Sequence, residues 1–364
     1  MNIDFANLKI AYQAHKDEFD KAIENVIKNA SYIMGPEIAL LEKTLSEYSN
    51  VKHSISCSSG TDALLLAMMS IDIKPGDEVI TSPYTFGATA ETIALLGAKP
   101  IFADIDEKTY NLDYKQIENK ITTKTRAIIA VSLFGQSADL DEINAIAEKH
   151  QLHVIEDAAQ SFGATYKGRK SCALSTLSCT SFFPAKPLGC FGDGGAVFTN
   201  NQDLAEKLKS LRLHGQINKH THKYIGLGAR MDTIQAAVLL VKLKHYSKDL
   251  ETRQKVADNY FKLLGDSVCV PFIKPQNTSV WAQFAIRVKN RNTIQQKLKE
   301  KGVPTAVYYP TPLHLQECFS YLNYKQGDFP ISEKVSKEIL SLPLNPYIKL
   351  EEQEFIVYEL KKIL

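Results

Sequence analysis

The spacing of apolar positions along this chain switches repeatedly between a helical and a strand period, and each switch marks an element. Over residues 13–30, Ala14, Glu18, Ala22, Val26 and Ala30 fall near helical spacing and predict an opening helix. Gly35-Pro36 interrupts it, and residues 37–48 resume the pattern through Ile38, Leu41 and Leu45. Both read as packing helices. Residues 51–57 alternate like a strand and run through a small polar turn into a helix ending near Met69. Strands at 78–81, 100–104, 126–132 and 153–156 then alternate with helices near 85–96, 113–120 and 139–150. A strand at 195–199, a helix at 203–213 and a strong helix at 231–246 follow. Beyond them come a helix near 252–264, a strand at 281–288, a helix near 293–301 and an extended, proline-rich segment at 303–312.

This alternation predicts an α/β fold with a mainly parallel sheet. The helix at 231–246 would carry the chain out of a large domain, residues 1–247, into a smaller α/β domain, residues 248–364. No repeat or low-complexity linker separates the two. Ligands of such sheets collect beyond the carboxyl ends of the strands.

Composition narrows the function without naming it. The 364 residues suffice for two domains and carry a net charge of +2, from 43 basic and 41 acidic side chains. That balance speaks against a nucleic-acid or membrane-surface binder. No apolar run approaches the ~20 residues of a membrane helix, and the start lacks a basic-then-apolar signal pattern, so a cytoplasmic protein is expected. The six cysteines lie scattered without a C-x-x-C pair, and neither a zinc site nor a disulfide framework is expected. His214, His220 and His222 occupy a polar stretch without acidic or thiol partners. They read as a flexible loop, and no metal site is assigned.

Candidate chemistry centres on Thr180–Gly195, where Lys186 stands between an aromatic, hydroxyl-bearing approach and a glycine-rich exit. Gly189, Gly192, Gly194 and Gly195 would permit close backbone approach and positive φ. A lysine desolvated in such a loop has a lowered pKa and becomes a nucleophile toward an aldehyde. The bland alternative is a surface lysine on a turn, but two other stretches fit the same chemistry. Gly60 and Thr61 fall at a helix N-terminus that can hold a phosphate, or Ser59 or Thr61 simply caps that helix. Phe86, in Tyr84-Thr-Phe86, offers a ring for stacking on a flat heterocycle, or packs in the core. Asp157 ends a buried strand, where a carboxylate needs a cation or donors; a protonated pyridine nitrogen would serve, as would an Asx turn or helix cap. Arg230 is either an anion ligand or a salt-bridge partner, and Cys190 reads as a small packing residue.

Together Ser59-Gly-Thr-Asp-Ala-Leu64, Glu156-Asp-Ala-Ala-Gln-Ser-Phe-Gly163, Ser181-Phe-Phe-Pro-Ala-Lys186 and Gly192-Asp-Gly-Gly195 resemble the DegT/DnrJ/EryC1/StrS family of sugar aminotransferases, essentially end to end. The resemblance implies the aspartate-aminotransferase fold (fold type I) and pyridoxal 5'-phosphate as cofactor. It implies that Lys186 carries the Schiff base, Asp157 pairs with the pyridinium nitrogen and Phe86 stacks on the ring. Gln160 would sit near the 3-hydroxyl, with Gly60, Thr61 and Ser181 on the phosphate. Members are dimers with shared active sites, and Arg230 matches an arginine that reaches the substrate from the partner chain. The family's partner-chain asparagine is Gly228 here.

Three stretches (111–113, 131–139 and 171–200) look similar to enzymes that aminate a 3-oxo sugar on UDP, in particular UDP-2-acetamido-2-deoxy-3-oxo-glucuronate. Tyr308 stands where that subgroup carries a histidine, and is a second substrate-contact candidate. The implied function is transamination of such a nucleotide sugar with L-glutamate, for bacterial surface polysaccharide synthesis. The alternatives are amination at C4 of a UDP- or dTDP-4-keto sugar, and a non-catalytic regulatory protein that kept the fold. A dehydratase of the same fold carries histidine in place of the Schiff-base lysine, and Lys186 speaks against it.

Overall fold

The computed structural model describes residues 3–364. Helices α1 (Leu8–Ala14), α2 (Lys16–Asn29) and α3 (Pro36–Ser49) come first. Pro36 opens α3 at a position where its missing N–H would have been unpaired anyway. The chain then lays down β1 (His53–Cys57), α4 (Gly60–Ser70), β2 (Glu78–Thr81), α5 (Gly87–Leu95), β3 (Lys99–Phe102), β4 (Thr125–Val131), α6 (Leu140–Lys149) and β5 (His153–Asp157). A small hairpin, β6 (Thr165–Tyr166) with β7 (Arg169–Lys170), precedes β8 (Leu177–Ser181), β9 (Gly195–Thr199) and α7 (Gln202–Leu211).

Seven of these strands form one sheet in the order β1-β9-β8-β5-β4-β2-β3. The β2–β3, β2–β4, β4–β5 and β5–β8 pairs are parallel, whereas β9 runs antiparallel to both β8 and β1. The sheet is therefore mixed and mostly parallel. Helices cover both faces, so a central strand such as β9 is buried at all five positions, Gly-Ala-Val-Phe-Thr.

Three expectations need correction. Residues 113–120 form two short 3-10 turns, Tyr114–Gln116 and Glu118–Lys120, because the Asp113 carboxylate captures the Lys115 N–H and tightens the first turn. Residues 216–222, expected as a flexible loop, form an exposed hairpin, β10 (Gln216–Asn218) with β11 (Thr221–His222), and His222 Nδ1 lies 2.8 Å from the His214 carbonyl. The helices expected at 231–246 and 252–264 are one helix, α8 (Thr233–Leu264).

The first half of α8 packs Val238, Leu239, Val241 and Tyr246 into the core beneath the large sheet, against Phe162, Phe182 and Phe198. Its second half packs Val256, Ala257, Tyr260 and Leu264 into a separate core. That core is completed by β12 (Phe284–Arg287), α9 (Arg291–Glu300), β13 (Ile339–Leu342) and α11 (Leu350–Ile363), with β12 antiparallel to β13, whereas α10 (Pro330–Glu338) packs Val335 against Tyr84, Ile105 and Tyr110. The border at 247/248 thus falls inside a continuous helix; we propose that it marks a change of core and not a break in the chain. No helix among the described residues is long and apolar enough to cross a membrane.

Candidate active site

The Lys186 loop leaves the sheet where β8 ends and returns at β9. Phe182 N–H donates to Gly194 O (2.7 Å), Cys190 N–H to Phe182 O (2.8 Å) and Lys186 N–H to Phe183 O (2.8 Å), which closes a tight turn around the lysine. Cys190 is fully buried, with its Sγ 3.0 Å from both Phe182 O and Gly192 O, either of which can accept its one S–H, so it is a packing residue. Of the loop glycines, Gly195 shows the close approach most clearly: an added Cβ would lie 2.3 Å from Ser59 O. None of Gly189, Gly192, Gly194 or Gly195 has positive φ, contrary to expectation. Their use is proximity alone.

Gly195 therefore presses the loop exit against the start of α4. Ser59 caps that helix, its hydroxyl accepting the Asp62 N–H at 3.0 Å. Among the described residues no hydrogen bond uses the N–H groups of Gly60 or Thr61. Cap and anion site are thus compatible: one satisfies a first-turn donor and leaves two more, at the positive end of the helix dipole. A Cβ on Gly60 would meet Ser181 Cβ at 2.6 Å, so glycine is what lets α4 start beside the Ser181 hydroxyl.

A cavity of about 440 Å³ lies beyond the carboxyl ends of these strands. It is lined by Gly60, Thr61, Phe86, Asp157, Gln160, Ser181, Lys186 and Tyr308, eight of the nine site residues picked from the sequence. Arg230 does not line it; it is half-buried just ahead of α8. Gly228, nearby, faces the His214 ring, 2.9 Å from where a Cβ would stand. Phe86 is 59 % exposed, which removes the core-packing alternative and leaves its ring free toward the cavity.

Asp157 is buried at the end of β5. Its Oδ2 accepts the Thr89 hydroxyl (2.9 Å) and its Oδ1 the Ala159 N–H (3.2 Å), an Asx-turn bond that coexists with its place in the cavity wall. Burial pushes this carboxyl above its usual range, opposed by those two donors and by the Lys186 charge. Burial pushes the Lys186 amine below its usual range, partly opposed by Asp157. The pair therefore holds one acid and one amine, each moved toward its neutral form. Gln160 is oriented on both sides: its Oε1 accepts the Phe134 N–H (2.8 Å) and its Nε2 donates to the Tyr309 hydroxyl (3.3 Å).

Two wall residues escaped the sequence reading. Thr89 lies three positions beyond Phe86, and Tyr309 directly after Tyr308; both line the cavity, but no sequence signal marks either. Beneath the wall, Glu156 is fully buried and accepts Ser132 Oγ, Ser171 Oγ, Cys172 N and Ser178 Oγ. All six cysteines are free. The ligand atoms of His15, Glu18 and His245 lie within 4.8 Å of one another, a cluster the sequence did not signal. Glu18 there also pairs with Lys244.

An amine, a buried carboxylate, an exposed ring and a helix N-terminus thus surround one cavity. The chain belongs to the DegT/DnrJ/EryC1/StrS aminotransferase family, whose model matches residues 13–361. It is 49% identical, over 95% of its length and 96% of the relative's, to the UDP-2-acetamido-2-deoxy-3-oxo-D-glucuronate aminotransferase of Pseudomonas aeruginosa. A pleiotropic regulatory protein of Geobacillus stearothermophilus is 45% identical over 98% of this chain and 97% of that one. The solved structure of ntda from Bacillus subtilis with bound cofactor PMP superposes with a TM-score of 0.92, at 32% identity, covering 99% of this chain and 85% of that one.

Proposed function

We propose that this protein is a pyridoxal-phosphate-dependent aminotransferase of a nucleotide-linked keto sugar, converting UDP-2-acetamido-2-deoxy-3-oxo-glucuronate to its 3-amino product with L-glutamate as donor. The observation that carries the proposal is the convergence of Lys186, Asp157, Phe86 and the Gly60–Thr61–Ser181 cradle on one cavity, in a chain of this family. The residues fit the cofactor on chemical grounds. An anion cradle, an exposed ring, a carboxylate that makes no ion pair among the described residues and an amine with a lowered pKa match its phosphate, ring face, ring nitrogen and aldehyde.

When bound, pyridoxal phosphate supplies an aldehyde for amines and a ring that accepts electrons. Lys186 would hold it through Nζ and, when free, take and return a proton at that atom. Asp157, oriented by Thr89 and Ala159, would keep a negative charge against a protonated ring nitrogen. Gln160, fixed by Phe134 and Tyr309, would orient the ring edge, and Phe86 would cover one face and exclude water. Arg230 and Tyr308 are assigned to the substrate. A homodimer would bring Arg230 of the partner subunit to this cavity, and a cytoplasmic setting completes the reading.

The name of the Geobacillus relative favours a second reading, a regulatory protein without turnover. One experiment separates them. The product from L-glutamate and the 3-oxo uronate, generated in situ, is identified by mass spectrometry and NMR beside the matching 4-keto UDP sugar. An amine at C3 is expected, and none with Lys186→Ala. Amination only of the 4-keto sugar overturns the substrate, and absence of any amination or cofactor bleaching supports the regulatory reading.

A further inference from the structure

Helices α1 and α2 meet at His15, whose N–H closes the end of α1 on Tyr12 O and which stands as the N-cap of α2. This corner is pinned, because Phe19, one turn further along α2, is buried in the same core as Val238, Val241 and Tyr246 of α8. Glu18 follows His15 by three residues and His245 lies midway along α8, so the packing of α2 on α8 brings the three side chains together. His245 Nε2 stands 2.8 Å from Glu18 Oε1, and His15 Nδ1 stands 3.8 Å from the same oxygen. Around a tetrahedral zinc ion with bonds of about 2.0–2.1 Å, neighbouring donor atoms lie about 3.3 Å apart. The two observed separations straddle that value. The imidazole rings are stacked, with centroids 3.7 Å apart and 15° between their planes. An ion lies in the plane of each ring it binds, so both rings would turn about Cβ–Cγ, a soft torsion in histidine.

Three further observations suit a cation here. Burial and the neighbouring His245 hold the His15 imidazole below its usual range, which keeps it neutral and its lone pair available. Asp249, one turn beyond His245 on α8, is half-buried; its charge acts on both imidazoles, and among the described residues its side chain has no hydrogen-bond donor. His15, His245 and Asp249 also line a side cavity of about 90 Å³, well above the roughly 10–15 Å³ that admits one water. Three lysines oppose a cation, but weakly. Lys244, which pairs with Glu18 Oε2 at 3.4 Å, and Lys248 are exposed, where such charges count for little. Lys242 has its ammonium 5.3 Å from the centre of the Phe191 ring.

We propose that His15, Glu18 and His245 form a zinc site, with Asp249 supporting the histidines and water completing the coordination. Two imidazoles and one carboxylate are a zinc donor set that leaves a position open. The ion would clip the corner between α1 and α2 to the middle of α8. Pro184–Leu188 line the same side cavity, so the clip would also brace the outer wall of the space behind the lysine loop. The site stands independently of the reaction proposed above.

Calorimetric titration of chelator-treated holoprotein with zinc chloride tests it. One ion per chain is expected, with a melting temperature that rises by several degrees at saturation. The three ligands are partly exposed, so His15→Ala, Glu18→Ala and His245→Ala should melt close to the wild type when metal-free. Asp249→Asn should weaken zinc by about 10- to 100-fold, the range for a residue that supports metal ligands, and each ligand substitution by more than about 100-fold. Cobalt(II) in place of zinc should give visible d–d bands that His245→Ala abolishes. The exposed hairpin histidines His220 and His222 are the rival binders, and His222→Ala is expected to leave the titration unchanged. Absence of zinc binding in the wild type overturns the site. So does binding that survives all three ligand substitutions, or a loss confined to His222→Ala.

Discussion

Gly60→Ala is the sharpest test of the phosphate cradle, because the obstacle is backbone-linked and cannot swing away. The new methyl would lie 2.6 Å from Ser181 Cβ and 3.2 Å from Ser181 Cα. Carbon atoms prefer about 3.5–4.0 Å, so the start of α4 and the end of β8 must separate by roughly 1 Å. Ser181 is held in turn by its pairing with Gly195. Overpacking of this kind costs about 1–3 kcal/mol, and alanine's helix preference over glycine offsets about 1 kcal/mol of it. The melting temperature should therefore fall by only a few degrees. Binding suffers more. Losing one hydrogen bond to a charged group costs about 1.5–3 kcal/mol, which is roughly 10- to 150-fold in affinity. Equilibrium binding of pyridoxal phosphate and of pyridoxal to the apoprotein, followed by absorbance, isolates the phosphate contribution. The phosphate ester should lose affinity by that factor, and pyridoxal by less than about threefold. Equal losses for the two, or an unchanged affinity in a folded variant, would refute a phosphate site at the start of α4.

Two further predictions follow from the buried carboxylates. Because the Lys186 amine titrates below its ordinary 10.5, the rate of cofactor capture by apoprotein should rise with pH and level off below that value. Asp157→Asn removes the negative charge that holds the amine up, so its plateau should come at lower pH; a shift to higher pH contradicts the pairing. Glu156→Ala leaves the buried Cys172 N–H and the Ser132 hydroxyl without an acceptor, while Ser171 and Ser178 keep Ser161 and Ser175 as partners, and should destabilise by at least about 2 kcal/mol. Glu156→Gln keeps one acceptor and should cost less than half of that; equal costs in denaturant titrations would show that the network is not what matters.

Much of the large sheet was legible because its strands carry short apolar runs between polar turns, as in β2 and β5. The continuity of α8 was not. Its buried positions stop at Tyr246 and resume at Arg253, so the period is lost where the helix passes from one core to the next. Nothing in residues 247–252 breaks a helix, and local propensity carries it across. The site motifs were legible because Gly60, Asp157 and Lys186 each bring a residue type to a place where it is otherwise costly. Thr89 and Tyr309 are ordinary by sequence, and only the three-dimensional packing puts their hydroxyls on Asp157 and Gln160.

The uninterrupted α8 also sets which changes in chain length the family can tolerate here. At 3.6 residues per turn, deleting one residue between Tyr246 and Arg253 would swing everything beyond by about 100°, and Arg253, whose Nη1 donates to Trp281 O and Leu344 O, would turn away from both carbonyls. Adding seven would restore the angle to within about 20° but lengthen the rod by roughly 10 Å. The orientation of one core relative to the other is thus written as a residue count. Insertions and deletions should accumulate in the surface connections and spare this segment, so its constant length would mark relatives that share this two-core geometry even where its surface side chains have diverged.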